Sequence, residues 1–229
     1  MKLLGIDTNA KTVKGQGKGY LTAILYLAPA NISGYEVCPK RTDGCTKACL
    51  YTAGRGAFSN VQKSRIAKTK FYFENRDKFM EQLVQEITNF VRKADKLNLT
   101  PVVRLNGTSD IPWERVSLKN FANIMEMFPT IQFYDYTKRA NRKNLPVNYH
   151  LTFSLAENNE NDAQIALTNG MNVAAVFRTA NFPKIYMTRP VLDGDESDLR
   201  FLDGTRNIIG LKAKGRAKKD TTGFVKEVA

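Results

Sequence analysis

The sequence predicts an α/β domain with a largely parallel sheet, on three observations. Short apolar runs rich in β-branched and aromatic residues alternate with stretches of helical periodicity from residue 20 to about residue 214. Those runs end in polar residues, and parallel α/β sheets build their sites at the carboxyl ends of their strands. No repeat or low-complexity linker divides the 229 residues, enough chain for one domain with a sizeable core. An incomplete βα barrel and an open doubly wound sheet both fit the alternation.

The elements follow in order. Residues 11–19, KTVKGQGKG, hold three glycines and three lysines without a Walker pattern, and read as a flexible loop or hairpin turn. Residues 20–28, YLTAILYLA, read as a buried strand stopped by Pro29. Residues 59–75 read as a helix with Ser59 as N-cap. In 77–96, Phe79, Leu83, Ile87, Phe90, Val91 and Ala94 recur at helical spacing, with charges elsewhere. A strand starts at Pro101, and a helix capped by Ser117 runs to Phe128. Strand 131–138, a short basic helix near 138–144 and strand 149–155 come next. Residues 160–169 read as a helix, and 172–178, 185–191 and 207–214 as strands. The organisation is one α/β domain over 1–210 with a basic C-terminal tail, 211–229.

Thirty-five Lys and Arg against 22 Asp and Glu give a net charge of +13. That favours an anionic partner: a small molecule, a nucleotide or a nucleic acid. The excess gathers at Lys138, Arg139, Arg142 and Lys143, and from Lys212 to Lys219. No run of eighteen apolar residues is present, so no membrane span or membrane partner is expected. The N-terminus is too polar after Leu4 for a secretory signal, which implies a cytoplasmic, reducing setting.

All three cysteines, Cys38, Cys45 and Cys49, fall in CPKRTDGCTKAC, just after the first strong strand. A zinc site would need the distant His150 as fourth ligand, and one histidine gives little support to a Cys–His nucleophile. The segment is too polar for three core cysteines. An iron–sulfur cluster fits best: thiolates hold such clusters, three would leave one iron open, and Lys40, Arg41, Lys47 and Arg55 would balance its charge. Glycines 44, 54 and 56 would offer backbone N–H groups to the sulfurs.

The strand ends supply the other candidates. Asn106, Gly107, Thr108, Ser109 and Asp110 follow one strand, beside Trp113 and Glu114. Asp135, Tyr136, Thr137 and Lys138 end the next, Arg178 ends a third, and Lys212 the last.

A three-cysteine loop after the first strand of a βα chain resembles the radical S-adenosylmethionine superfamily. More narrowly, CPKRTDGCTKACLYTAGRG, VRLNGTSDIPWE and FYDYTKR together are similar to a phage and plasmid family of gene-product-eighty-eight type. The first resemblance implies a partial βα barrel, a [4Fe-4S] cluster on the three cysteines and S-adenosylmethionine on the open iron. The second covers most of the chain and implies a phage origin and the host cytoplasm, without a reaction. The spacing here, C-x6-C-x3-C, differs from the usual C-x3-C-x2-C, Ala48 replaces an aromatic residue, and no Gly-Gly-Glu follows the second strand.

Two functions follow. One is a redox or radical-type enzyme on an anionic substrate: Asp110, Asp135 and Lys138 catalyse, while Asn106, Thr108, Ser109, Tyr136, Arg178 and Lys212 bind cofactor and substrate. The other is a nucleic-acid-binding protein whose cysteines hold a structural metal.

Overall fold

The computed structural model describes residues 1–7 and 9–228. Its sheet begins with β1 (Leu4–Ile6), an antiparallel edge on β2 (Tyr20–Leu25). From there β3 (Thr100–Arg104), β4 (Gln132–Thr137), β5 (Tyr149–Ser154) and β6 (Asn172–Phe177) lie side by side in chain order, all parallel. The hairpin of β7 (Ile185–Tyr186) and β8 (Arg189–Asp193) joins through β9 (Ile208–Lys212), which is parallel to β6. The ten-stranded sheet stays open, with β1 and β7 at its edges. A doubly wound sheet reverses its strand order near the middle. The run from β2 to β6 has no such reversal.

Helices α3 (Ser59–Glu74) and α4 (Arg76–Lys96) cover one face. Phe79, Leu83, Ile87 and Phe90 of α4 pack on Val103, Leu105, Phe133 and Leu151. Each contributes on the order of 1.5–3 kcal/mol by leaving water. Further along the same face, α6 (Glu160–Thr168) sets Ala163, Ala166 and Leu167 against Phe153, Val173 and Phe177. The opposite face is covered by residues 194–203. There Leu199 meets Val102 and Tyr134, and Arg104 pairs with Asp198 at 2.7 Å. Tyr134 donates its hydroxyl to the same carboxylate, at 3.2 Å.

Several expectations are corrected. Residues 11–19 are not a loop, because α1 (Ala10–Gln16) occupies most of them. Asn9 Oδ1 accepts from the N–H groups of Lys11 and Thr12, and Thr12 Oγ1 accepts from the Asn9 N–H, a reciprocal cap. The helix from Ser117 shrinks to α5 (Ile124–Met127), capped by Asn123, while Leu118 and Phe121 bridge as strand. Residues 138–144 form turns instead of a helix, tied down by hydrogen bonds to Asp110, Thr137 and Glu114. The single strand at 185–191 is a hairpin. Its turn residues, Met187 and Thr188, both have positive φ, 50° and 61°, the geometry of a tight type I′ connection.

Past Lys212 the basic segment packs against the sheet. It makes a 3-10 turn (Gly215–Lys219), then β10 (Val225–Lys226), which pairs with β6 beyond the point where β5 ends. Arg178 holds it there through Glu227 at 2.7 Å and through the carbonyls of Lys218 and Asp220. Among the described residues no helix is long and apolar enough to cross a membrane.

Candidate functional site

The carboxyl ends of β2 to β6 and of β9 point to one rim. The chain leaving β2 there carries Cys38, then α2 (Asp43–Lys47) with Cys45, then Cys49. Two hydrogen bonds anchor α2. Glu157, after β5, accepts from the Gly44 N–H and the Thr42 hydroxyl, each at 2.7 Å. Burial works against that carboxylate, but these donors hold its pKa below the usual range. Gly44 is required by closeness: a Cβ there would stand 2.1 Å from Thr222 Oγ1 and 2.7 Å from Phe224 Cβ.

The three thiols do not share a centre. Cys38 packs into the large core beneath α3 and α4 and lies 3.7 Å from the Thr108 carbonyl oxygen. Cys45 packs instead with Ala48, Ala156, Ala217 and Phe224. Cys49 is half-buried, and the Cys45 thiol as well as the charges of Arg65 and Lys138 bear on it. Among the described residues no three His, Cys, Asp or Glu side chains stand together as a metal site. This overturns the [4Fe-4S] centre on Cys38, Cys45 and Cys49, and with it the cluster enzyme, its iron-bound S-adenosylmethionine and the structural-metal alternative. His150 lies on β5, near Arg200 rather than the cysteines.

Burial pushes the Cys38 thiol up to about 12. Cys49 is raised as well, chiefly by burial, against the pull of its backbone hydrogen bond and the two cations. Both are neutral thiols at neutral pH, so they are weak nucleophiles.

The loop after β3 is held by Asn106. Its Oδ1 accepts from the Ser109 hydroxyl (2.8 Å), the Ile111 N–H (3.0 Å) and the Trp113 indole (3.1 Å). Its amide donates to the Ile111 carbonyl at 2.9 Å. Trp113 is fully buried, so it supports this loop from below. Thr108 donates to the Leu27 carbonyl, tying the β2 and β3 loops together. Asp110 accepts from the Thr137 hydroxyl (2.8 Å) and the Lys138 N–H (3.0 Å), joining the β3 and β4 loops.

Asp135 is fully buried. It accepts from the Asn106 N–H at 2.8 Å and the Tyr149 hydroxyl at 2.9 Å, yet burial still raises it to about 6. Tyr136 points to the opposite face beside Arg104, and burial lifts its phenol to about 12. Lys212 places its ammonium over the Phe182 ring at 5.7 Å, and Arg178 is spent on the C-terminal segment. The structure therefore brings Asn106, Thr108, Ser109, Asp110 and Lys138 to one rim. It puts Asp135 beneath them and Tyr136, Arg178 and Lys212 elsewhere.

Lys138 is 8% exposed and reaches over the next strand end. Its ammonium donates to Ser154 Oγ at 2.7 Å and the Ser154 carbonyl at 3.2 Å. No ion pair holds it among the described residues, although its charge helps to lower the pKa of the Glu157 carboxyl. Arg65, on α3, is the residue the sequence reading missed. It is also 8% exposed, and its guanidinium lies 4.6 Å from the Tyr26 ring and 5.7 Å from that of Tyr51. Its Nε and Nη1 are buried with no hydrogen-bond partner among the described residues. Burial lowers its pKa, while Tyr26, Cys49 and Tyr51 favour the charge, and a guanidinium stays protonated at any working pH. The signal was its spacing: Arg65 shares the buried stripe of α3 with Thr69 and Tyr72. An arginine on such a stripe calls for a partner.

A family model described as Gene product 88 matches residues 2–227. Comparison with curated proteins and with solved structures finds no match.

Proposed function

We propose, for a chain that belongs to the Gene product 88 family, that it binds a small phosphate-bearing anion at the carboxyl-end rim of its sheet, between Arg65 and Lys138. One observation carries this reading. Arg65 is buried with two guanidinium nitrogens that find no hydrogen-bond partner among the described residues, and Lys138, equally buried, forms no ion pair there, only hydrogen bonds to Ser154. An unpaired buried charge costs several kcal/mol, which is why proteins rarely keep one without an anion to meet it. Arginine and lysine together are the donor set that phosphate groups take, with arginine supplying several N–H groups and lysine a point charge. A nucleotide is the ligand class proposed, because the half-buried Tyr26 ring, 4.6 Å from the guanidinium, is the aromatic face beside Arg65, with the buried Tyr51 behind it.

Lys138 and the thiols then serve binding. Cys38 and Cys49 are neutral walls, and Asn106 and Asp110 are the braces that hold the loops at a fixed height. Isothermal titration with inorganic phosphate and a nucleoside monophosphate tests the reading. Binding should weaken at least ten-fold in Arg65→Gln and in Lys138→Gln, with the far-ultraviolet circular dichroism unchanged. Absence of binding by the wild-type protein at millimolar ligand sinks it.

A further inference from the structure

Two grooves run along the same rim and share a wall. The first, about 280 Å³, is lined by Phe73, Arg76, Arg115 and Arg139 among others. The second, about 220 Å³, is lined by Lys40, Arg115, Lys138 and Arg139. Arg115 and Arg139 belong to both, so the grooves adjoin. Lys138 lines the second groove and is also one of the two cations of the phosphate reading.

Acids line these grooves too, but most are taken. Glu36 pairs with Arg41 at 3.0 Å, Asp110 accepts from Thr137 and Lys138, and Glu114 is the partner of Arg142. Asp162 alone lines the second groove without a partner among the described residues. The cations are freer. Arg115 is 69% exposed and only 3.9 Å from Glu114, its one acidic contact. The Arg139 Nε has no partner. Arg76 sits over the Tyr72 ring at 4.4 Å and makes no ion pair among the described residues. Phe73, in the first groove, is already stacked on Tyr35, ring centroids 4.5 Å apart and planes 3° from parallel.

We infer that these grooves hold a single-stranded nucleic acid, its phosphates on Lys40, Arg76, Arg115 and Arg139 and one base stacked on Phe73. Spaced cations beside an aromatic face are how single strands are held without sequence readout. A duplex keeps its bases paired and hidden from Phe73, so the strand must be single. The inference rests on the phosphate reading above, because the strand's terminal phosphate would occupy the site of Arg65 and Lys138.

Fluorescence anisotropy with a labelled twelve-nucleotide single strand, its duplex and a salt series tests it. The single strand should bind at least ten-fold more tightly than inorganic phosphate and than the duplex. The triple variant Arg76→Gln, Arg115→Gln, Arg139→Gln should weaken it at least ten-fold. That variant should also reduce the log–log salt slope by about 2, at ~0.7 for each phosphate left without its cation. Phe73→Leu should weaken binding several-fold with the slope unchanged. Phosphate binding should survive the triple variant and fail in Arg65→Gln. If the strand binds no better than phosphate, prefers the duplex or ignores the triple variant, the groove inference falls while the phosphate reading stands. Loss of phosphate binding in the wild type overturns both.

Discussion

Cys38 shows how burial decides chemistry residue by residue. In sequence it is one of three thiols in a polar box; in the fold it is half-buried against the core, and burial pushes its thiol up to about 12. At pH 8 only about one molecule in ten thousand would carry the thiolate at that position. Alkylation by iodoacetamide, followed by peptide mass analysis, should therefore modify Cys38 more than a hundred-fold more slowly than a free cysteine. Labelling at the free-cysteine rate would refute its burial. The box was legible as a cluster of cysteines but not as a set of directions. Spacing says how far apart thiols are along the chain, whereas Cys38 and Cys45 pack on two different apolar clusters, and among the described residues the thiols form no group that could hold a metal. Asn106 was legible as a rim residue. Its role as a brace was not, because that depends on three donors brought back by the turn to Trp113.

Among the elements, α4 was readable because its apolar residues repeat every three to four positions and one face is buried throughout. Helix α1 was not, since its residues, AKTVKGQ, make no such stripe. It exists because Asn9 and Thr12 cap it reciprocally. Strand positions were read well for β2 to β6 and β9, whereas β8 was merged with β7 across their tight turn. The three-residue β1 gives too little pattern to find. Helix α2 depends on closeness rather than propensity. Gly44→Ala should drive its new methyl into Thr222 and Phe224, and lower stability by about 1–3 kcal/mol. For a chain of this length that is a drop of roughly 2–12 °C in thermal midpoint. An unchanged midpoint would contradict the close approach of α2 to the C-terminal segment.

At the scale of the molecule, the far face of the sheet sets an acid limit. Burial, with help from Arg200, lowers the only histidine, His150, to about 4 from an ordinary 6.5. A base with a depressed folded pKa supports the fold fully above the unfolded value and loses that support as pH falls towards the folded one. The window here is pH 6.5 to about 4. Asp135, raised to about 6, works the other way in part of that range, because its protonation favours the fold. The comparison must therefore be between wild type and His150→Gln. Denaturant midpoints of the two should converge as pH falls from 6.5 to 4.5, and the single imidazole resonance should titrate near 4. Titration near 6.5 would place the ring in water. The largely parallel sheet was visible in the alternation of segments, but not that its helices lie on one face. That the second face is covered by residues 194–203 was not, because that stretch has no periodicity and is recruited by Asp198 and Leu199.

The contact between Gly44 and Phe224 also has a clock. Those residues are 180 positions apart (224 minus 44), and translation proceeds at about 5–20 residues per second. After α2 emerges, it waits on the order of ten to forty seconds for the segment that will cover it. For that interval the nascent chain carries an uncovered patch around Ala48 and Cys45. Slow codons between β6 and β10 would lengthen that exposure without altering a single residue of the finished protein.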